Sequence, residues 1–93
     1  MKEIHDPLFL KFANPLYISF DLDALDPAFA PGVSHHEPGG LTTRQVLQVI
    51  QALKARIVGL DIVELNPARD ISGITAAAAF KIIKEVAGKI VRP

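Results

Sequence analysis

Apolar residues along the chain change period several times, and the changes mark its elements. After Pro15 the run Leu16-Tyr17-Ile18-Ser19-Phe20 is short, β-branched and aromatic, as in a buried strand. From Thr42 the period becomes helical: Val46, Leu47, Ile50 and Leu53 share one face, while Arg44, Gln48, Gln51 and Lys54 take the other. Thr42 with Gln45 forms a capping box, and Leu41 is placed to staple onto Val46, so this helix should begin near residue 43. Arg56 to Leu65 is then almost continuously apolar, the pattern of a parallel strand covered on both faces. Beyond the Asn66-Pro67 break, Ser72 can cap a second helix running to Ile90, with Phe80, Ile83, Val86 or Ala87, and Ile90 as its buried stripe. Residues 1–14 are mixed and weakly periodic.

The order β-α-β-α predicts an α/β fold, with parallel strands, right-handed crossovers and helices on both faces of the sheet. Two such strands leave unpaired edges and uncovered apolar faces. Residues 1–93 therefore read either as the last portion of one larger domain, the reading favoured, or as a chain that must associate. Composition agrees that a self-sufficient enzyme is not expected: a chain of this length buries only about 60–65% of its unfolded surface.

Charge and residue types narrow the chemistry. Ten basic and ten acidic residues are interspersed, without the basic stripe that phosphate binding requires, so no nucleic-acid partner is expected. The absence of cysteine excludes disulfides, Cys-ligated zinc and thiol nucleophiles, leaving Asp, Glu and His as the metal ligands. No apolar run reaches about 18 residues and the start Met1 to Pro7 has no signal-peptide core, so no membrane partner is expected and the compartment is read as cytoplasmic.

In open parallel sheets ligands bind beyond the carboxyl ends of the strands. Asp21, Asp23 and Asp26 follow the first strand, and Glu64 follows the second. Along an extended segment Asp21 and Asp23 would share a face about 6.6 Å apart, close enough to grip one or two cations. Acids after a strand also cap turns, and a D-x-D triplet alone fits either role. Asp26 before Pro27 reads as a turn-fixing residue, and Asp61, inside an apolar strand, as a hydrogen-bonded or ion-paired support. From Asp26 to Gly40 three prolines, three glycines and no periodicity describe a loop, long for a connection without function. His35 and His36 lie in it; either could contact a substrate or move a proton, although a solvated loop histidine is the plainer reading.

Ser19-Phe20-Asp21-Leu22-Asp23-Ala24-Leu25-Asp26-Pro27-Ala28-Phe29-Ala30-Pro31 closely resembles the S-F-D-x-D-x-x-D-P-x-x-A-P signature of the arginase/agmatinase family. Gly39-Gly40-Leu41-Thr42 resembles its G-G-L-T helix entry, and Gly59 to Pro67 its G-x-D-x-x-E-x-N-P strand end. The resemblance covers about residues 16–90, and the loop Gly32 to Gly40 is most similar to that of plant-type arginases. It implies a three-layer α/β/α domain in which Asp21 bridges two Mn²⁺ ions, Asp23 ligates one of them, and Glu64 lies beside the substrate guanidinium. The implied reaction is hydrolysis of a guanidino compound by water activated between the ions, giving urea and an amine such as ornithine. Arginine is the preferred substrate because of the loop, with agmatine or another guanidino acid as the alternative. The complete enzyme would be a homo-oligomer, and mitochondrial if a transit peptide lay upstream. The family's H-G-G-D-H-like and D-A-H-x-D-like motifs are absent from the 93 residues, so the isolated chain is expected to be inactive. A non-catalytic fragment pairing with a full-length subunit, and a bare divalent-metal module, are the competing readings.

Overall fold

The computed structural model describes residues 11–92; His5 and the rest of residues 1–10 lie outside the described residues. Four main elements follow in the order expected: β1 (Leu16–Asp21), α1 (Thr43–Ala52), β2 (Ile57–Val63) and α2 (Ile74–Val91). The strands are parallel and adjacent, with Ile18 opposite Leu60, Ser19 opposite Asp61, Phe20 opposite Ile62 and Asp21 opposite Val63.

Strand alternation divides this small sheet into two unlike faces. Leu16, Ile18 and Phe20, with Leu60 and Ile62 beside them, pack against a core that includes Val46, Leu47 and Ile50 of α1 and Ala79, Ile82 and Val86 of α2. Both helices therefore cover one face, where the sequence pattern had implied cover on both. The opposite face carries Tyr17 and Ser19, both exposed, and Asp61. The near-continuous apolar run of β2 is thus only half used among the described residues, and Val58 remains 51% exposed.

The first helix forms as its sequence signals dictate. Thr42 Oγ1 accepts from Gln45 N–H at 3.0 Å, Gln45 Oε1 accepts from Thr42 N–H at 2.9 Å, and the face Val46, Leu47, Ile50 and Leu53 is buried. The second helix departs from expectation at its start and along its side. Gly73, not Ser72, is the N-cap, in the left-handed region at φ 71°, and it offers no side-chain cap. Asp70 supplies the cap from outside the helix, accepting from Thr75 N–H at 2.8 Å and Ala76 N–H at 3.1 Å. The buried stripe is Thr75, Ala79, Ile82 and Val86, so of the expected set only Val86 is in the core; Phe80, Ile83 and Ile90 are 61%, 43% and 45% exposed. Both stripes fit a helical period in this Ala- and Ile-rich segment, and docking on β2 and α1 selects the one whose small Ala79 permits close approach.

The long loop is a closed excursion. Asp26 N–H donates to Leu41 O at 2.8 Å and Leu41 N–H to Ala24 O at 2.9 Å, so the two ends run side by side. Ala30 and Val33 fold back from it into the core, at 0% and 1% exposure. The G-G pair is needed where the loop closes: Gly39 has φ 89°, and a Cβ on Gly40 would lie 2.8 Å from Asp26 N.

Candidate functional site

The carboxyl ends of both strands form one edge, and the expected site residues stand on it. Asp21 closes β1, its register partner Val63 closes β2, and Glu64 is the next residue. The local geometry at β1 differs from the extended segment read from sequence. Asp23 lies in a single 3₁₀ turn, Leu22–Ala24, whose N-cap is Asp21; Asp21 Oδ1 accepts from Asp23 N–H at 2.8 Å. The turn forms because an aspartate at a strand end captures the N–H two residues on, while Leu22 and Leu25 are fully withdrawn into the core on either side.

This turn leaves one oxygen unsatisfied. Asp23 Oδ1 is enclosed and has no hydrogen-bond partner among the described residues. An enclosed carboxylate oxygen without a partner is destabilising by about 1–3 kcal/mol or more, and a cation is the natural acceptor of its lone pair. Asp21 commits only one carboxylate oxygen to the turn. Together the two aspartates are a hard oxygen donor pair of the kind that suits Mn²⁺. Among the described residues no group of three or more His, Asp or Glu converges, so the fit is that of a partial ligand set.

Glu64 is exposed and sits at φ 75°, a left-handed conformation uncommon for a residue with a side chain. The chain beyond it is fixed by Asn66. The sequence marks Asn66 as part of a break and of the strand-end motif; in the structure its Oδ1 accepts from Ala68 N–H at 3.1 Å, capping the 3₁₀ turn Pro67–Arg69. An Asn before Pro carries that signal in the sequence; its reach to the loop, described below, does not appear there.

The remaining polar residues serve the frame. Asp26 accepts from Ala28 N–H at 2.9 Å and Gly39 N–H at 3.0 Å, as its turn-fixing reading required; these bonds hold its carboxyl below the usual carboxylate range. Asp61, whose partner the sequence could not name, accepts from Ser19 Oγ at 2.7 Å and Tyr17 Oη at 3.2 Å. The hydrogen bond to Asp61, then burial, then the charge of Asp61 raise the Tyr17 phenol above its ordinary value. Gly59 makes this arrangement possible, since a Cβ there would meet the Tyr17 ring at 2.7 Å. Burial pushes the Asp70 carboxyl up, but the N–H groups of Thr75 and Ala76 outweigh it and leave the group below its ordinary value. Thr75 in turn accepts from Gly32 N–H at 2.7 Å, tying loop to helix. Neither Asp70 nor Thr75 was singled out from sequence, because each bond spans the loop and the helix start. His36 Nε2 lies 2.7 Å from Pro31 O, a loop-internal hydrogen bond in which the ring nitrogen donates; His35 is exposed.

The structure thus brings two acids together in a turn at the carboxyl edge of a parallel α/β sheet, with a third acid at the next strand end. The family model of the arginase family matches residues 1–88, and the chain belongs to that family. It is 58% identical over 76 residues to "Arginase 1, mitochondrial" of Arabidopsis thaliana, covering 81% of this chain and 22% of that protein. It is 52% identical over 69 residues to the agmatinase of Proteus mirabilis, covering 73% of this chain and 22% of the relative. A solved structure of a triple mutant of the T. brucei arginase-like protein bound with Mn²⁺ is 43% identical and superposes with a TM-score of 0.76, over 82% of this chain and 27% of that one. The three-layer α/β expectation stands at the level of the fold, and this chain holds part of it. The chain spans about a fifth of the length of the curated relatives it matches.

Proposed function

We propose that residues 1–93 are the C-terminal part of a single ureohydrolase domain, and that within the complete enzyme they serve manganese-dependent hydrolysis of a guanidino substrate. The observation that carries this reading is the enclosed, unpartnered Asp23 Oδ1 in the turn capped by Asp21. Asp21 and Asp23 would hold the metal, and a bound Mn²⁺ pair supplies the acidity that makes water a nucleophile near neutral pH. Glu64 would receive the guanidinium through a charge-assisted hydrogen bond, orienting its carbon toward the ligand turn. The Asp21 hydrogen bond to Asp23 N–H keeps the two ligands in one fixed relation, and the buried Leu22 between them prevents the turn from opening.

Arginine is the substrate we favour, from the likeness to plant arginase; the likeness to an agmatinase keeps agmatine as the alternative. The mitochondrial alternative for location gains support from the name of the Arabidopsis relative, against the cytoplasmic reading; no described helix is long and apolar enough to cross a membrane. A homo-oligomeric complete enzyme remains part of the proposal.

Urea release from arginine and from agmatine, measured with added Mn²⁺, tests this reading. The full-length polypeptide should release urea from one of the two, and the isolated 93-residue chain from neither, because two carboxylates leave a cation pair mostly water-ligated. Family-like turnover by the isolated chain would refute the partial-site reading, and an inactive, manganese-loaded full-length enzyme would refute the function.

A further inference from the structure

We infer that Asn66 is a positioning residue that locks the Gly32–His36 segment of the long loop against the strand exit presenting Glu64, and so sets the gap a guanidino group must enter. This rests on the proposed role of Glu64. Asn66 spends every polar group it has at this junction. Its N–H donates to Gly32 O at 2.6 Å and its Nδ2 to Ser34 Oγ at 3.2 Å, while Oδ1 caps the following turn. The loop therefore meets the chain leaving β2 only two residues beyond Glu64. Arg69 Nη1 adds a bond to Ser34 O at 3.1 Å from the same turn.

Two features show that the junction is a built one. Glu64 holds a left-handed backbone, at φ 75°, that is unfavourable for a residue with a Cβ and persists only where flanking structure enforces it. Asn66 is the flanking residue anchored on both sides, to the loop and to its own turn. On the loop side, Gly32 is pinned a second time, through its N–H to Thr75 Oγ1 at 2.7 Å, so Gly32 and Ser34 are fixed while His35 stays exposed at the rim. Ser34, by contrast, is held among the described residues by exposed bonds, so loss of the Asn66 amide should loosen the rim while Gly32 stays held by backbone and Thr75.

A double-mutant cycle in the full-length, manganese-loaded enzyme tests the inference. Asn66→Ala and Ser34→Ala should each raise KM by about fivefold with kcat changed less than about twofold, the size of one lost hydrogen bond that acts on binding. The double variant should lose no more than Asn66→Ala alone, because both act through the same contact. Amide exchange of residues 33–36 should rise in Asn66→Ala. Unchanged KM in Ser34→Ala, strictly additive losses, or unchanged exchange would each overturn the role given to Asn66. A wild-type enzyme that releases no urea removes the functional reading alone, and exchange then decides whether Asn66 anchors the loop. Should Asn66→Ala fail to fold, the KM of Ser34→Ala carries the test.

Discussion

Where β1 ends, Asp21 caps the 3₁₀ turn Leu22–Ala24; where β2 ends, Asn66 caps the 3₁₀ turn Pro67–Arg69. The same local device is stabilised in opposite ways. Around the first turn Leu22 and Leu25 are buried to 0% and 1%, so close packing fixes it. Around the second, Leu65 and Ile71 are 42% and 62% exposed, and the fixing comes from hydrogen bonds to Gly32 and Ser34 across the loop. Packing suits the exit whose proposed task is to hold two like-charged ligands in one geometry. Exposed hydrogen bonds suit an exit whose proposed task is to meet a substrate, since they yield more readily.

The largest effect should follow from Asp23→Asn. In the full-length enzyme it should weaken Mn²⁺ retention by more than about 100-fold, since even outer partners of a ligand are worth 10–100-fold. Metal content after dialysis measures it. In the isolated chain the same change should be neutral or stabilising, because it replaces a partly enclosed charge whose Oδ1 has no partner among the described residues. An Asn variant that retains manganese like the parent would remove Asp23 from the ligand set.

Next in size, Leu22→Ala should destabilise by about 3 kcal/mol, whereas Leu65→Ala at the other exit should stay within about 1 kcal/mol. Denaturant titration of the full-length protein reads both. Equal losses would mean that the two exits are not held differently, and the contrast drawn from burial would fail.

This contrast also explains what could be read from the residues alone. The Thr42 capping box and the α1 face are encoded within a few neighbouring positions, and each is legible because period and cap signals are local. The turn at Asp23 was misread as extended because a D-x-D triplet does not distinguish a strand end from an Asx turn. The α2 stripe went astray because Thr75, Ala79 and Ile82 become the buried side only when β2 and α1 are in place. Asp70, the partners of Asp61 and the reach of Asn66 to the loop do not appear in the sequence, because these bonds join residues 5 to 44 positions apart.

The smallest effect concerns the loop that both exits share. Bonds from Ala28 and Gly39 N–H hold the Asp26 carboxyl below its ordinary value, so the unfolded chain binds more protons than the folded one between the two pKa values. The stability this group contributes is complete above the ordinary carboxylate pKa of about 4 and is lost as pH falls through the lower folded-state value. Asp26→Asn should therefore lower stability at neutral pH and flatten the acid limb of the stability profile below about pH 4. The difference should be slight, because Asn keeps one oxygen to accept from a backbone N–H and the carboxyl is solvent-screened. Thermal midpoints between pH 2.5 and 7 would show it. A variant that parallels the wild type at every pH would mean that Asp26 fixes the loop by shape alone, and that its charge has no part in closing the segment from which Gly32 and Ser34 reach the second exit.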